Sequence, residues 1–164
     1  MVIIREINDP KQKSNICNLI LRALPDWFGV EASIIDYANR VQTMLFWTAF
    51  DNEKPIGFIS IQNHNRYTSE ICVMGILKEY HRQGIGKKLF SCCEKYCIEN
   101  KIEYLTVKTL DASASSKSYE KTRAFYLSVG FRPLEVFPSY WDKNNPCLLM
   151  GKFLGNAKER ENVT

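Results

Sequence analysis

Residues 79–90, "EYHRQGIGKKLF", set two glycines and three cations between an apolar run and a helical one. Gly84 and Gly86 carry no Cβ, so the chain can turn tightly there and aim successive amides at one point. Those amides open the following helix, whose dipole also favours negative charge. Arg82, Lys87 and Lys88 add cations beside the same point. The stretch reads as a phosphate cradle, against the plainer alternative of a turn and a solvated helix start. Two familiar phosphate loops fail on spacing. A dinucleotide fingerprint starting at Gly84 needs a third glycine where Leu89 sits, and a P-loop ending at Gly86 and Lys87 needs glycine at His81 and Ser or Thr at Lys88.

Outward from the loop, residues 70–77 read as a strand and 86–100 as a helix, with Leu89, Cys93 and Cys97 on its apolar face at four-residue spacing. Upstream, residues 2–7 alternate like a strand, and a helix follows with Pro10 in its first turn and Ile16, Leu19, Ile20 and Leu24 facing inward. Pro25 ends it, and a second helix is expected over 31–44. Strands at 45–51 and 56–62 are joined by the turn "DNEKP" as a hairpin. Downstream come a strand at 103–110, the polar loop "DASASSKS", and a helix at 119–130 with Thr122, Phe125, Tyr126 and Val129 in one stripe, closed by Gly130. Strands at 131–137 and 146–154 complete the chain. Strand–helix alternation in the middle and meandering strands at both ends predict an α/β fold. Its form is a three-layer α/β sandwich with a mixed, largely antiparallel central sheet flanked by helices.

The 164 residues, 45% apolar and 24% charged, suit one globular domain. A net charge of +4 without a basic run gives no reason to expect nucleic acid, while an anionic small molecule remains compatible. No window approaches the ~18 apolar residues of a spanning helix, and the N-terminus lacks a charged-then-apolar leader, so a cytoplasmic protein with no membrane partner is expected. The six cysteines form no C-x-x-C pair, and only His64 and His81 offer imidazoles, so buried free thiols are expected, with no metal site.

The element order and four segments, "SEICVMGIL", "HRQGIGKKL", "YLTVKTL" and "AFYLSVGFRPL", together resemble the GNAT superfamily of acetyl-CoA-dependent N-acetyltransferases. The resemblance covers residues 2–154 and implies one N-acetyltransferase domain over 1–154, with a polar, disordered tail at 155–164. The family's cofactor motif is Gln or Arg, two residues, Gly, one residue, then Gly or Ala; residues 81–86 match it except at His81. The resemblance implies acetyl-CoA as co-substrate. Arg82, Gln83, Gly84, Ile85, Gly86, Lys87 and Lys88 would hold its pyrophosphate, while Met74, Ile76 and Leu77 would hold the pantetheine arm by strand-like backbone bonds.

An amine acceptor arrives mostly as an ammonium, with a reference pKa of ~10.4, and must lose a proton before it attacks a thioester. Glu70, fourteen residues before Gly84, stands where the histone-acetylating branch of the superfamily carries its general base. The other reading is an exposed strand carboxylate paired with a neighbouring Lys or Arg, and many relatives use a water chain. The departing thiolate gains from a proton donor, and Tyr126 occupies the family's usual place for that acid, against a packing role on its helical stripe. The same helix departs from the family at Tyr119 and Thr122, where Asn and Ala are frequent.

Aromatics gather at Trp27 and Phe28 and again at Tyr140 and Trp141, with carboxylates nearby in sequence. They could hold a cationic amine of a small molecule or peptide, or equally fill a core or a homodimer interface. The chemistry predicted is acetyl transfer to a primary amine by direct attack in a ternary complex. A non-catalytic acyl-CoA-binding regulatory module is the competing reading, and retained Glu70 and Tyr126 count against it.

Overall fold

A computed structural model of the chain describes residues 1–158. Most of the tail expected to be disordered, residues 159–164, lies outside the described residues. Seven strands, β1 (Val2–Glu6), β2 (Leu45–Asp51), β3 (Lys54–Asn63), β4 (Thr68–Ile76), β5 (Tyr104–Leu110), β6 (Arg132–Asp142) and β7 (Asn145–Phe153), form a sheet in the order β1-β2-β3-β4-β5-β7-β6. The helices are α1 (Pro10–Arg22), α2 (Glu31–Arg40), α3 (Ile85–Glu99) and α4 (Lys117–Ser128). β4 and β5 run parallel, whereas β1 and β2, β2 and β3, β5 and β7, and β6 and β7 run antiparallel. This is the expected α/β sandwich with a mixed, largely antiparallel sheet. Among the described residues no helix is long and apolar enough to cross a membrane.

The chain forms two compact units, one of Met1–Gln62 with Cys72–Tyr96 and the other of Asn63–Ile71 with Cys97 onward. In the first unit, Asp9 caps α1 by accepting the Gln12 amide at 2.9 Å, and Pro10 fills the first turn, where no amide partner is needed. Ile16, Cys17, Ile20 and Leu21 are buried, but Leu19, expected to face inward, is 51% exposed. Cys17 takes the inward place, because as a small hydrophobe it shifts the buried stripe around the helix. That stripe lies on bare strand backbone, since a Cβ on Gly75 would come 3.1 Å from Leu24 Cδ1 and 3.2 Å from Ile20 Cγ2. α2 ends at Arg40 and tightens into a 3-10 turn, Val41–Thr43, instead of running on to Met44, a usual ending for a helix C-terminus. Phe46 to Phe50 and Ile56 to Ile61 are buried at every position, so both faces of β2 and β3 are covered, and Phe46 stacks on Phe58 at 5.0 Å. The hairpin between them turns through Asn52 at φ 55°, a left-handed conformation that Asn tolerates well.

In the second unit, Glu70 registers against Thr106 across the parallel pair, and Lys108 against Leu149 across the antiparallel one. β6 runs on to Asp142, beyond the expected end at Phe137. It is an edge strand, where Pro133 and Pro138 remove amide donors without breaking a central ladder, and its register shifts between Phe137 and Asp142. Cys17, Cys93, Cys97 and Cys147 are buried, Cys72 and Cys92 are partly exposed, and none of the six is in a disulfide. α4 starts two residues before its expected beginning, because Ser116 Oγ accepts the Tyr119 amide at 3.2 Å and closes the first turn. Ser116→Ala should therefore cost about 1 kcal/mol, read as a lower melting temperature, while Ser116→Asp should hold the parental value.

Candidate active site

In the glycine loop, Arg82 at φ 59° and Gly84 at φ 78° both take left-handed backbone, which suits glycine and strains an arginine. The Gly84 carbonyl accepts the Lys88 amide at 3.1 Å, so Gly84 caps the fifteen-residue α3. The amides of Ile85, Gly86 and Lys87 fall in the first turn, where a helix supplies no acceptor. Ile85 is buried and anchors the turn, whereas Arg82, Gln83, Lys87 and Lys88 are exposed. A Cβ built on Gly84 would meet nothing within 4 Å, so open space lies before it. Free amides, three exposed cations and open space fit a pyrophosphate.

His81, the residue that departs from the family motif, bonds through Nε2 to the Ile76 carbonyl at 2.6 Å and pins the loop to the end of β4. The Leu77 amide donates to Ile56 O at 2.9 Å, so two backbone groups expected to serve a pantetheine arm already have protein partners. Leu77 is buried, while Met74 and Ile76 are partly exposed. Trp27 meets His81 edge-on at 5.7 Å, with the Lys78 ammonium 5.9 Å from its ring and paired to Asp26 at 2.6 Å. Phe28 lies edge-on to Tyr37 at 6.0 Å.

The second unit assembles a polar cluster around Glu70, which is only 8% exposed. Its Oε1 lies 2.6 Å from His64 Nε2 and its Oε2 accepts from Lys108 Nζ at 2.9 Å. Of the alternative reading, the exposure is not found, since the carboxylate is buried, but the expected pairing is, since Lys108 holds one of its oxygens. β4 and β5 place Glu70 and Lys108 on one face, because Lys108 stands two residues beyond Thr106, the register partner of Glu70. Partial burial pulls the Lys108 ammonium toward losing its proton, but the hydrogen bond and charge of Glu70, with smaller help from Tyr140 and Cys147, outweigh it and hold its pKa above the ordinary lysine value. Tyr140 offers its ring to that ammonium at 5.4 Å and packs against Phe137 and Trp141. Tyr140 and Trp141 are exposed.

Tyr126 is 4% exposed on α4, wedged edge-on between Phe125 and Phe131, both at 5.5 Å. Burial pushes the Cys17 thiol up to about 12 and likewise raises Cys92 and Cys147, so none of these three is an activated thiolate. Reasoning from the sequence missed two members of the Glu70 cluster. His64 was visible only as an imidazole in the turn "NHNRY", six residues before Glu70, a separation that a hairpin folds back on itself. Lys108 gave no signal, because its place depends on the register of a parallel pair.

Comparison with the curated proteins returned no match. Among solved structures, the chain is similar to a putative acetyltransferase of the GNAT family from Desulfovibrio desulfuricans, at 14% identity and a TM-score of 0.81, over 94% of this chain and 100% of that one. It is also similar to the aminoglycoside 6'-N-acetyltransferase from Enterococcus faecium, at 19% identity and a TM-score of 0.72, over 93% and 97% of the two chains. The ribosomal-protein-S18-alanine N-acetyltransferase from Escherichia coli matches at 16% identity and a TM-score of 0.74, over 94% and 95%. At these identities the likeness speaks for the fold. Residues 42–133, more than half of the chain, match the acetyltransferase (GNAT) domain model. The chain belongs to the GNAT acetyltransferase family, enzymes that take acetyl-CoA as co-substrate.

Proposed function

We propose that the protein is a cytoplasmic N-acetyltransferase whose residues 1–154 act as one catalytic domain and move an acetyl group from acetyl-CoA to a primary amine of a small molecule or peptide. The observation that carries this reading is the buried carboxylate of Glu70, held at both oxygens by His64 and Lys108, with the exposed Tyr140 ring over that lysine. A buried polar cluster beside an exposed aromatic group is the kind of arrangement found at catalytic sites. The glycine loop from Arg82 to Lys88 binds the pyrophosphate, and Met74, Ile76 and Leu77 line the arm. The amine attacks directly. Glu70 anchors the base side, Tyr126 protonates the departing thiolate, and Tyr140 and Trp141, with Trp27 and Phe28, contact the acceptor. The free thiols fit a reducing compartment.

The test is a panel of amines followed by release of coenzyme A thiol. Because structural relatives act on an aminoglycoside and on a ribosomal-protein alanine, the panel should span aminoglycosides, polyamines, amino acids and peptides with free N-termini. Turnover with at least one amine is the expected result. Tight acetyl-CoA binding with no thiol release from any of them would instead identify a regulatory acyl-CoA-binding module.

A further inference from the structure

We propose that His64 Nδ1 is the atom that takes the proton from the acceptor amine, and that Glu70 and Lys108 are positioning residues behind it. The inference rests on the acetyl-transfer reading and assigns the base within it. Both Glu70 oxygens already serve a partner, one His64 Nε2 at 2.6 Å and one Lys108 Nζ at 2.9 Å, and the residue is only 8% exposed, so little of the carboxylate is open to an amine. An ionised carboxylate can only accept hydrogen bonds, so the imidazole nitrogen facing it carries the hydrogen. In the neutral ring the lone pair then sits on Nδ1. Among the described residues no hydrogen bond uses Nδ1, and the His64 side chain is 40% exposed to solvent.

The turn that carries His64 is built to hold it. His64 N donates to Thr68 O at 2.9 Å, Asn65 Oδ1 accepts the Tyr67 and Thr68 amides at 2.8 and 3.1 Å, and Ser69 Oγ donates to Asn63 Oδ1 at 2.5 Å. Tyr67 O in turn accepts the amides of Glu103 and Tyr104 at the start of β5. A base oriented by a fixed carboxylate is the arrangement that proton abstraction requires, and an imidazole titrates close to neutral pH. The charged and titratable groups around the pair are Glu70 on β4, Lys108 on β5, Tyr140 and Cys147 beside Lys108, and Arg66 on the same turn, which bonds to the Tyr67 hydroxyl.

In the step itself an ammonium first gives one proton to solvent; the lone pair of the neutral amine then forms the C–N bond as a second proton leaves the nitrogen for Nδ1. The C–S bond breaks with its electron pair remaining on the coenzyme sulfur, which Tyr126 protonates. The imidazolium then returns its proton to solvent, and the Tyr126 phenolate regains one, which restores both groups.

The experiment compares parent, His64→Gln, Glu70→Gln and the double variant in single-turnover transfer to a weakly basic amine that stays neutral across the pH range. Circular dichroism and melting check each fold. His64→Gln should lower the rate on the order of 10²-fold or more and remove the fall in rate on the acid side, and the double variant should be no slower than His64→Gln alone. Nitrogen shifts of the parent should place the His64 hydrogen on Nε2. A His64→Gln enzyme of near-parental rate, a lower rate with the acid limb unchanged, or a hydrogen on Nδ1 would each overturn the inference while leaving the acetyl-transfer reading intact. A parent that transfers to no amine would overturn both.

Discussion

Gly84→Val is expected to abolish acetyl-CoA binding, and Gly86→Glu to do the same by a different route. Gly84 sits at φ 78°, where a β-branched side chain is strained, and the space a new side chain would enter is open. The fold therefore has room for valine, but relieving the strain turns the first amides of α3 away from their common target. Gly86→Glu leaves the backbone path alone and sets a carboxylate where a phosphate is to be bound, among amides that suit only one anion. Titration calorimetry with acetyl-CoA, on variants whose circular dichroism matches the parent, reads the result. Unchanged affinity in both would remove the loop from the cofactor site.

Tyr126→Phe is expected to lower turnover on the order of 10²-fold or more with acetyl-CoA affinity little changed, the usual scale of general acid catalysis. The substitution deletes one hydroxyl from a ring held between Phe125 and Phe131, so the packing that fixes α4 against the start of β6 survives. Single-turnover transfer to the best amine separates the acid from the core role, and thermal melting checks the fold. A variant that melts normally and transfers at the parental rate would show that solvent or another donor protonates the thiolate.

The sequence carried the fold because its strongest signals are local. Glycine spacing at Gly84 and Gly86, helical periodicity through Leu89, Cys93 and Cys97, and the turn at Asn52 each act within a few residues. Misreadings arose where a neighbour decides the outcome. Leu19 has the spacing of a core residue, but Cys17 takes the inward place. β6 outruns its expected end because edge position, invisible in a single strand, makes Pro138 tolerable. In the candidate site, the family pattern pointed at Glu70 and Tyr126 as single residues. What holds Glu70 comes from a hairpin turn and a parallel register, neither of which has a sequence period.

β6 also bears on how the protein behaves when concentrated. It lies at the border of the sheet with Leu134, Val136, Tyr140 and Trp141 exposed along its eleven residues, the profile of a strand that recruits another chain into a growing aggregate. Pro133 and Pro138 each withhold an amide, and the register breaks twice, so an incoming strand would meet an interrupted ladder. The border can thus keep its aromatic side chains exposed without offering its backbone as a template for fibrils.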